Sequence, residues 1–161
     1  MLPGLSRWLV LAGTIIIADF VSKAWVLSVF HLHESRAVTS FFNLVLVFNP
    51  GASFSFLADA GGWQRWFLIV LALAISAWLV VMIRQHARER LLPFALTLVL
   101  GGALGNVIDR LRFGAVVDFL DFHVAGWHWP AFNVADVAIV GGVVLLLWQQ
   151  LTHKENGSPH D

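Results

Sequence analysis

The chain has 161 residues, of which 58% are hydrophobic and only 12% are charged. Soluble domains carry about a quarter charged residues, so this composition argues against a soluble globular protein. Ten Lys and Arg balance ten Asp and Glu, which leaves no basic surface for a nucleic acid. The absence of cysteine excludes disulfides, Cys-ligated metal sites and thiol catalysis.

Four long apolar segments predict four transmembrane helices. At about 1.5 Å rise per residue, 18 residues and their flanks cross a hydrocarbon core of roughly 30 Å. The second and third segments each contain 18 residues without a charge, whereas the first contains Asp19 and Lys23 and the fourth contains Asp136. In chain order the segments are 8–30, 66–83, 91–108 and 132–151.

The loop at 84–90, Arg-Gln-His-Ala-Arg-Glu-Arg, is the most densely basic part of the chain. Short basic loops stay in the cytoplasm, so with four spans both termini are expected there as well. We expect residues 1–152 to form a single integral-membrane domain. Residues 153–161 are polar, and we expect them to form a disordered cytoplasmic tail.

Residues 37–57 differ from the spans. Aromatic and β-branched residues fill 41–48, and the turn signal Asn49-Pro50-Gly51 follows. This pattern predicts a strand or hairpin on the extracytoplasmic side, between the first two spans. The predicted fold class is therefore an all-α membrane protein with a small β region.

Ionisable residues are costly inside a membrane, so each suggests a function. Asp19 and Lys23 lie four residues apart, on one helix face, where they can pair. We favour a structural ion pair over direct catalysis for these two residues. In the third span, Gly101 and Gly105 form a GxxxG pattern, which indicates close helix packing.

Four aspartates are expected on the extracytoplasmic side, around the third and fourth spans: Asp109, Asp118, Asp121 and Asp136. Asp118 and Asp136 lie within apolar strings, without a cation nearby in sequence. Two carboxylates brought together in such surroundings share one proton, which is how aspartic proteases activate water. From the residues alone, aspartyl catalysis, a proton relay and structural pairing all remain possible.

Four motifs in this order closely resemble the lipoprotein signal peptidases, or signal peptidase II, the intramembrane aspartyl proteases of bacteria. The first two are Asp-Phe-Val-Ser-Lys at 19–23 and Asn-Pro-Gly-Ala-Ser-Phe-Ser-Phe at 49–56. The third begins with Gly-Asn-Val-Ile-Asp-Arg at 105–110 and continues to Gly-Ala-Val-Val-Asp-Phe at 114–119, and the fourth is Phe-Asn-Val-Ala-Asp at 132–136. The chain departs from the family pattern at Phe20, where Gln is common, and at Pro50, where Thr is common. Neither position is one of the proposed catalytic residues.

The resemblance implies that Asp118 and Asp136 are the catalytic dyad, with no metal and no cofactor. The implied substrate is a prolipoprotein whose Cys carries diacylglycerol, cut on the N-terminal side of that Cys. The enzyme is expected in the bacterial cytoplasmic (inner) membrane, in contact with lipid, as a monomer with its site near the outer face. The alternative to an enzyme is a small proton-coupled transporter or ion-conducting protein.

The other polar residues of the motifs are expected to support the dyad or to bind substrate. Asparagine amides can donate hydrogen bonds without adding charge, and Arg110 can pair with Asp109 or hold carbonyl oxygens. Helix capping and interfacial anchoring are the structural alternatives for Asn106 and Arg110. The predicted supporting set is Asn49, Gly51, Asn106, Asp109, Arg110, Asn133, Asp19 and Lys23.

Overall fold

In a computed structural model, which describes residues 4–51 and 61–155, four helices are long and apolar enough to cross a membrane. They are α1 (Leu5–Val29), α2 (Trp63–Gln85), α3 (Leu91–Phe113) and α4 (Val134–Glu155). The four predicted spans are confirmed. Helix α4 continues three residues into the predicted tail, and 156–161 lie outside the described residues.

Helix α3 is the centre of the bundle and packs against α1, α2 and α4. Its glycines allow this close packing. Gly101 and Gly105 both face α1, as the GxxxG pattern predicts, and a Cβ at Gly105 would lie 2.7 Å from Asp19 Oδ2. Gly102 faces the first turn of α4, where a Cβ would meet the backbone of Ala135. Small residues thus bring α1 and α4 up to the same stretch of α3.

The β structure is larger than the sequence predicts. Four antiparallel strands lie in the order β1 (Ser35–Ala37), β2 (Phe42–Asn49), β3 (Val116–Val124) and β4 (Trp127–His128). Only β1 and β2 lie between the first two spans, because β3 and β4 belong to the connection from α3 to α4. The part of the predicted hairpin at 52–57 lies outside the described residues.

The sheet is fixed to one end of the bundle. Gly114 caps the C-terminus of helix α3, and its φ of 79° is the left-handed conformation that suits glycine at this position. Strand β3 begins two residues later and pairs with β2, with Val116 opposite Asn49. Val26 and Phe30, at the end of α1, pack against Val117 and other apolar residues of β2 and β3. Pairing of Leu120 with Phe132, and the hydrogen bond from Asn133 to Asp118, place β3 beside the start of α4.

Candidate active site

Asp118 lies on β3 and is only 3% exposed. Its Oδ1 accepts a hydrogen bond of 2.7 Å from Asn133 Nδ2, and its Oδ2 accepts one of 3.3 Å from Asn49 Nδ2. Burial, together with the charge of Asp136, raises the pKa of Asp118 from 3.8 to about 7, although the two asparagine hydrogen bonds lower it. This carboxyl can therefore hold a proton at neutral pH.

Asp136 lies in the first turn of α4. Its Oδ2 accepts a hydrogen bond of 3.2 Å from the backbone N–H of Asn133, and its own N–H donates to Asn133 Oδ1 at 2.9 Å. This reciprocal pair is a capping box, which the spacing Asn-x-x-Asp provides at a helix start. Asp136 Oδ1 accepts a further hydrogen bond of 2.9 Å from Asn106 Nδ2 of α3.

A buried polar cluster lies next to Asp118 and Asp136, the two aspartates of the expected dyad. Lys23 Nζ lies 2.7 Å from Asp19 Oδ2 and 2.7 Å from Asp109 Oδ2, and it donates a hydrogen bond of 3.1 Å to Asn106 Oδ1. The predicted pairing of Asp19 with Lys23 is thus confirmed. The other oxygen of Asp19 accepts a hydrogen bond of 2.9 Å from the N–H of Ala135, the residue before Asp136.

Arg110 does not pair with Asp109, so that alternative is wrong. Successive residues of an α-helix point about 100° apart, and here Asp109 faces α1 while Arg110 lines the cavity. Arg110 donates to the carbonyl oxygens of Gly51 at 2.8 Å and Asn106 at 3.4 Å. Its Nε is buried without a hydrogen-bond partner among the described residues.

Asp121 is not part of the dyad's surroundings. It lies three residues from Asp118, which is an odd number, so the two side chains leave opposite faces of the strand. Asp121 accepts hydrogen bonds from Asn43 Nδ2 at 2.8 Å and from His128 Nδ1 at 2.9 Å. Burial raises its pKa, but the hydrogen bonds from His128 and Asn43 outweigh that effect and lower it below the usual value.

Both carboxylates of the dyad line a cavity of about 760 Å³. Polar groups gather at one part of its wall, where Asn49, Asn106 and Arg110 accompany the two aspartates. The rest of the wall is mainly apolar and comes from α2, α3, α4 and the segment that leads into α4. The cavity therefore combines an acid pair with a surface that suits an apolar chain.

The chain is similar to known proteins. Residues 11–152 match the family signal peptidase (SPase) II. The chain belongs to this family.

Relatives of the signal peptidase II family are similar over nearly the whole chain. The lipoprotein signal peptidase of Azoarcus sp. (strain BH72) is 54% identical over 162 residues, covering 99% of this chain and 90% of that protein. That of Ralstonia nicotianae is 55% identical over 148 residues, covering 92% and 86%. The chain is an aspartic peptidase that spans a bacterial membrane several times.

Two solved structures of bacterial membrane enzymes share the fold of this signal peptidase. One has a TM-score of 0.85 at 28% identity, covering 97% of this chain and 94% of that chain. The other has a TM-score of 0.78 at 30% identity, covering 91% and 93%. The helical bundle and its small sheet are therefore shared with experimentally determined enzymes.

Sequence reasoning missed three features of the site. It did not anticipate that Lys23 contacts Asp109 and Asn106, which lie more than 80 residues away in sequence. It also missed the N–H of Ala135 as a donor to Asp19. It gave no partner for Asp121 either, whereas the structure pairs this carboxylate with His128. His128 lies on β4, and the pairing of β4 with β3 brings it to Asp121, seven residues away in sequence.

Proposed function

We propose that Asp118 and Asp136 are the catalytic dyad with which this signal peptidase removes the signal peptide from prolipoproteins. The observation that supports the assignment is that buried Asp118 and half-buried Asp136 line one cavity and are both hydrogen-bonded to Asn133. Asp121, the other aspartate of β3, is bonded instead to Asn43 and His128.

The chemistry follows from sharing one proton between two carboxyl groups. The ionised aspartate takes a proton from water as the water oxygen attacks the scissile carbonyl carbon, and the protonated aspartate hydrogen-bonds to the carbonyl oxygen. When the tetrahedral intermediate collapses, the C–N bond breaks and the departing amine nitrogen receives a proton from the dyad. Asn49, Asn106 and Asn133 keep the two carboxyl groups in place by hydrogen bonds that carry no net charge.

We further propose that the substrate carries diacylglycerol on its Cys and is cut on the N-terminal side of that Cys. The cavity supports this, because it extends from the dyad between α2, α3 and α4 with a mainly apolar wall. Leu71, Ile75 and Val140 belong to that wall, where acyl chains or an apolar signal peptide can replace membrane lipid. Arg110 and Gly51, close to the dyad, are placed to hold polar groups of the substrate.

The proposed orientation has both termini in the cytoplasm and the dyad near the outer face of the inner membrane. The basic loop 84–90 connects α2 to α3 at the opposite end of the bundle from the sheet. Positive loops favour the cytoplasm, so the sheet and the dyad would then lie on the outer side. We propose that a monomer suffices for activity, because a single chain supplies both aspartates and the asparagines that bond to them.

The test is to incubate the purified enzyme with a diacylglyceryl-modified prolipopeptide and with the same peptide unmodified. Only the modified peptide should be cut, and separate Asp118→Asn and Asp136→Asn variants should lose the activity. Asp121→Asn is the matched control, because it changes an aspartate of the same strand outside the dyad. The assignment fails if either dyad variant stays active or if Asp121→Asn abolishes cleavage in a folded protein.

A further inference from the structure

The two carboxyl groups of the dyad have different surroundings. Asp136 lies in the first turn of α4, where the positive end of the helix dipole favours a negative charge. It accepts hydrogen bonds from Asn106 Nδ2 and from the N–H of Asn133. Asp118 lies on a strand, is 3% exposed, and accepts hydrogen bonds only from asparagine amides among the described residues. The surroundings therefore favour the charged form at Asp136.

The hydrogen bond from Asn106 to Asp136 depends on which way the Asn106 amide points. Asn106 Nδ2 donates to Asp136, while Asn106 Oδ1 accepts from Lys23 Nζ at 3.1 Å and from Asn133 Nδ2 at 3.4 Å. A rotated amide would place its NH₂ group against the Lys23 ammonium and its oxygen against the Asp136 carboxylate. Lys23 has three donors and no acceptor, so it opposes that rotation.

Lys23 is itself held in place from two sides. Asp19 Oδ2 and Asp109 Oδ2 each lie 2.7 Å from its Nζ, and all three side chains are almost completely buried. Among the described residues near the dyad, the remaining cation is Arg110, which lines the same cavity as Asp118 and Asp136. With two cations against four aspartates, one proton on the dyad reduces the excess negative charge from two to one.

We propose that Lys23 is a positioning residue that locks the Asn106 amide, and thereby makes Asp136 the ionised carboxylate of the resting dyad and Asp118 the protonated one. This inference rests on the proposed function, since it assigns roles within the proposed dyad. The raised pKa of Asp118, about 7, agrees with it. Helix α1 would then affect catalysis through Lys23, although no described residue of α1 lines the cavity.

The assignment gives each proton a path. Asp136 takes a proton from the water whose oxygen bonds to the scissile carbon, while Asp118 gives its proton to the carbonyl oxygen. In the second step a hydroxyl of the tetrahedral intermediate returns its proton to Asp118, the C–N bond breaks, and the amine nitrogen takes the proton from Asp136. The dyad thus ends in its starting state.

The first experiment compares the pH profiles of kcat/KM for Asn106→Leu and Asn49→Leu on the lipidated peptide. In a bell-shaped profile the acidic limb reports the base and the alkaline limb the acid. Asn106→Leu should move the acidic limb to higher pH and lower kcat about 10- to 100-fold, as expected for a lost hydrogen bond to a charged group. Asn49→Leu should instead move the alkaline limb to higher pH, because its hydrogen bond favours ionised Asp118.

The second experiment tests Lys23 without changing the net charge of its cluster. The double variant Lys23→Met with Asp109→Asn removes one cation and one anion, and Asp109→Asn alone is its control. We expect the acidic limb to move in the double variant and to stay in place in Asp109→Asn. An unmoved acidic limb in the folded double variant overturns the role of Lys23. If that variant does not fold, an unmoved acidic limb in Asn106→Leu overturns the proposal just as well.

The activity of the wild-type enzyme distinguishes a failure of the proposed function from a failure of the roles assigned to Asp118 and Asp136. If the wild type does not cut the lipidated peptide, the proposed function fails and the assignment of roles has no reaction to describe. If the wild type cuts the peptide but Asn106→Leu and Asn49→Leu move the same limb, the function stands and the asymmetry of the dyad is refuted.

Discussion

Asn133 is hydrogen-bonded to both carboxyl groups of the dyad. Its Nδ2 lies 2.7 Å from Asp118 Oδ1, and its backbone N lies 3.2 Å from Asp136 Oδ2. The same amide nitrogen lies 3.2 Å from the carbonyl oxygen of Val117, so Asn133 joins strand β3 to the start of helix α4. The residue has no exposed surface. The side chain of Asn133 therefore caps helix α4 and also connects that helix to Asp118.

These two roles can be separated by substitution. Serine at position 133 can still cap α4, but its side chain is too short to make the same contact with Asp118. We expect Asn133→Ser to lower kcat about 10- to 100-fold with little change in thermal stability. Asn133→Ala should lose the activity and also about 1 kcal/mol of stability, because it removes the cap. Wild-type kcat in Asn133→Ser would show that the bridge to Asp118 has no part in the reaction.

The protonation of Asp118 links stability to pH. Burial and the charge of Asp136 raise its pKa from 3.8 to about 7 in the folded protein, so the folded state binds this proton more tightly than the unfolded state. Its contribution to stability is fully present below pH 3.8 and is lost as the pH rises through about 7. Asp118→Asn removes this dependence.

We therefore expect the stability of wild type relative to Asp118→Asn to fall as the pH rises from about 4 to 7. Denaturation in detergent at several pH values measures the difference, with Asp121→Asn as a second reference. Asp121 has a lowered pKa, so its own contribution appears above its unfolded pKa and is lost towards acid. A difference between wild type and Asp118→Asn that does not change across this range would contradict the raised pKa.

The parts of this site that follow from local spacing could be predicted. The four-residue separation of Asp19 and Lys23 indicates one helix face, and the structure pairs the two side chains. The Asn-x-x-Asp spacing at 133–136 is also local, since it forms the capping box. Apolar length alone was enough to predict the four spans, because the bilayer sets a minimum helix length.

The remaining contacts depend on pairings across long sequence distances. Asn43 is hydrogen-bonded to Asp121, and Val47 lies opposite Asp118, because β2 pairs with β3 in one particular register. A shift by one residue would turn each side chain of β3 to the other face of the sheet. Nothing in residues 116–124 alone fixes that register, so the residues of β2 that face Asp118 and Asp121 could not be predicted from the sequence.

Close packing of α3 against α4 gives a prediction about stability. A Cβ at Gly102 would clash with the carbonyl oxygen of Ala135, a backbone atom in the first turn of α4. Gly102→Ala should therefore lower stability by about 1–3 kcal/mol, as overpacking does, and should lower kcat by displacing the turn that carries Asp136. Gly13→Ala is the control, because a Cβ there meets nothing within 4 Å. In the control, the temperature of unfolding and kcat should both be unchanged or slightly higher.

Arg110 and Arg112 offer a matched pair for testing substrate binding at the edge of the dyad. Arg110 is 8% exposed, lines the cavity, and bonds the Gly51 carbonyl oxygen at 2.8 Å. Arg112 lies two residues further along the same helix, is exposed, and contacts the rings of Phe20 and Phe113. Both side chains are cations, so replacement by lysine keeps the charge at each position but removes the planar set of donors.

We expect Arg110→Lys to raise KM for the lipidated peptide about tenfold, the effect of losing one or two charge-assisted hydrogen bonds. The reason is that lysine has no counterpart to Nε, which is buried in Arg110 without a partner among the described residues. Arg112→Lys should leave KM and kcat unchanged. An unchanged KM in Arg110→Lys would mean that a positive charge at position 110 is enough, and that the geometry of the Arg110 guanidinium has no part in binding.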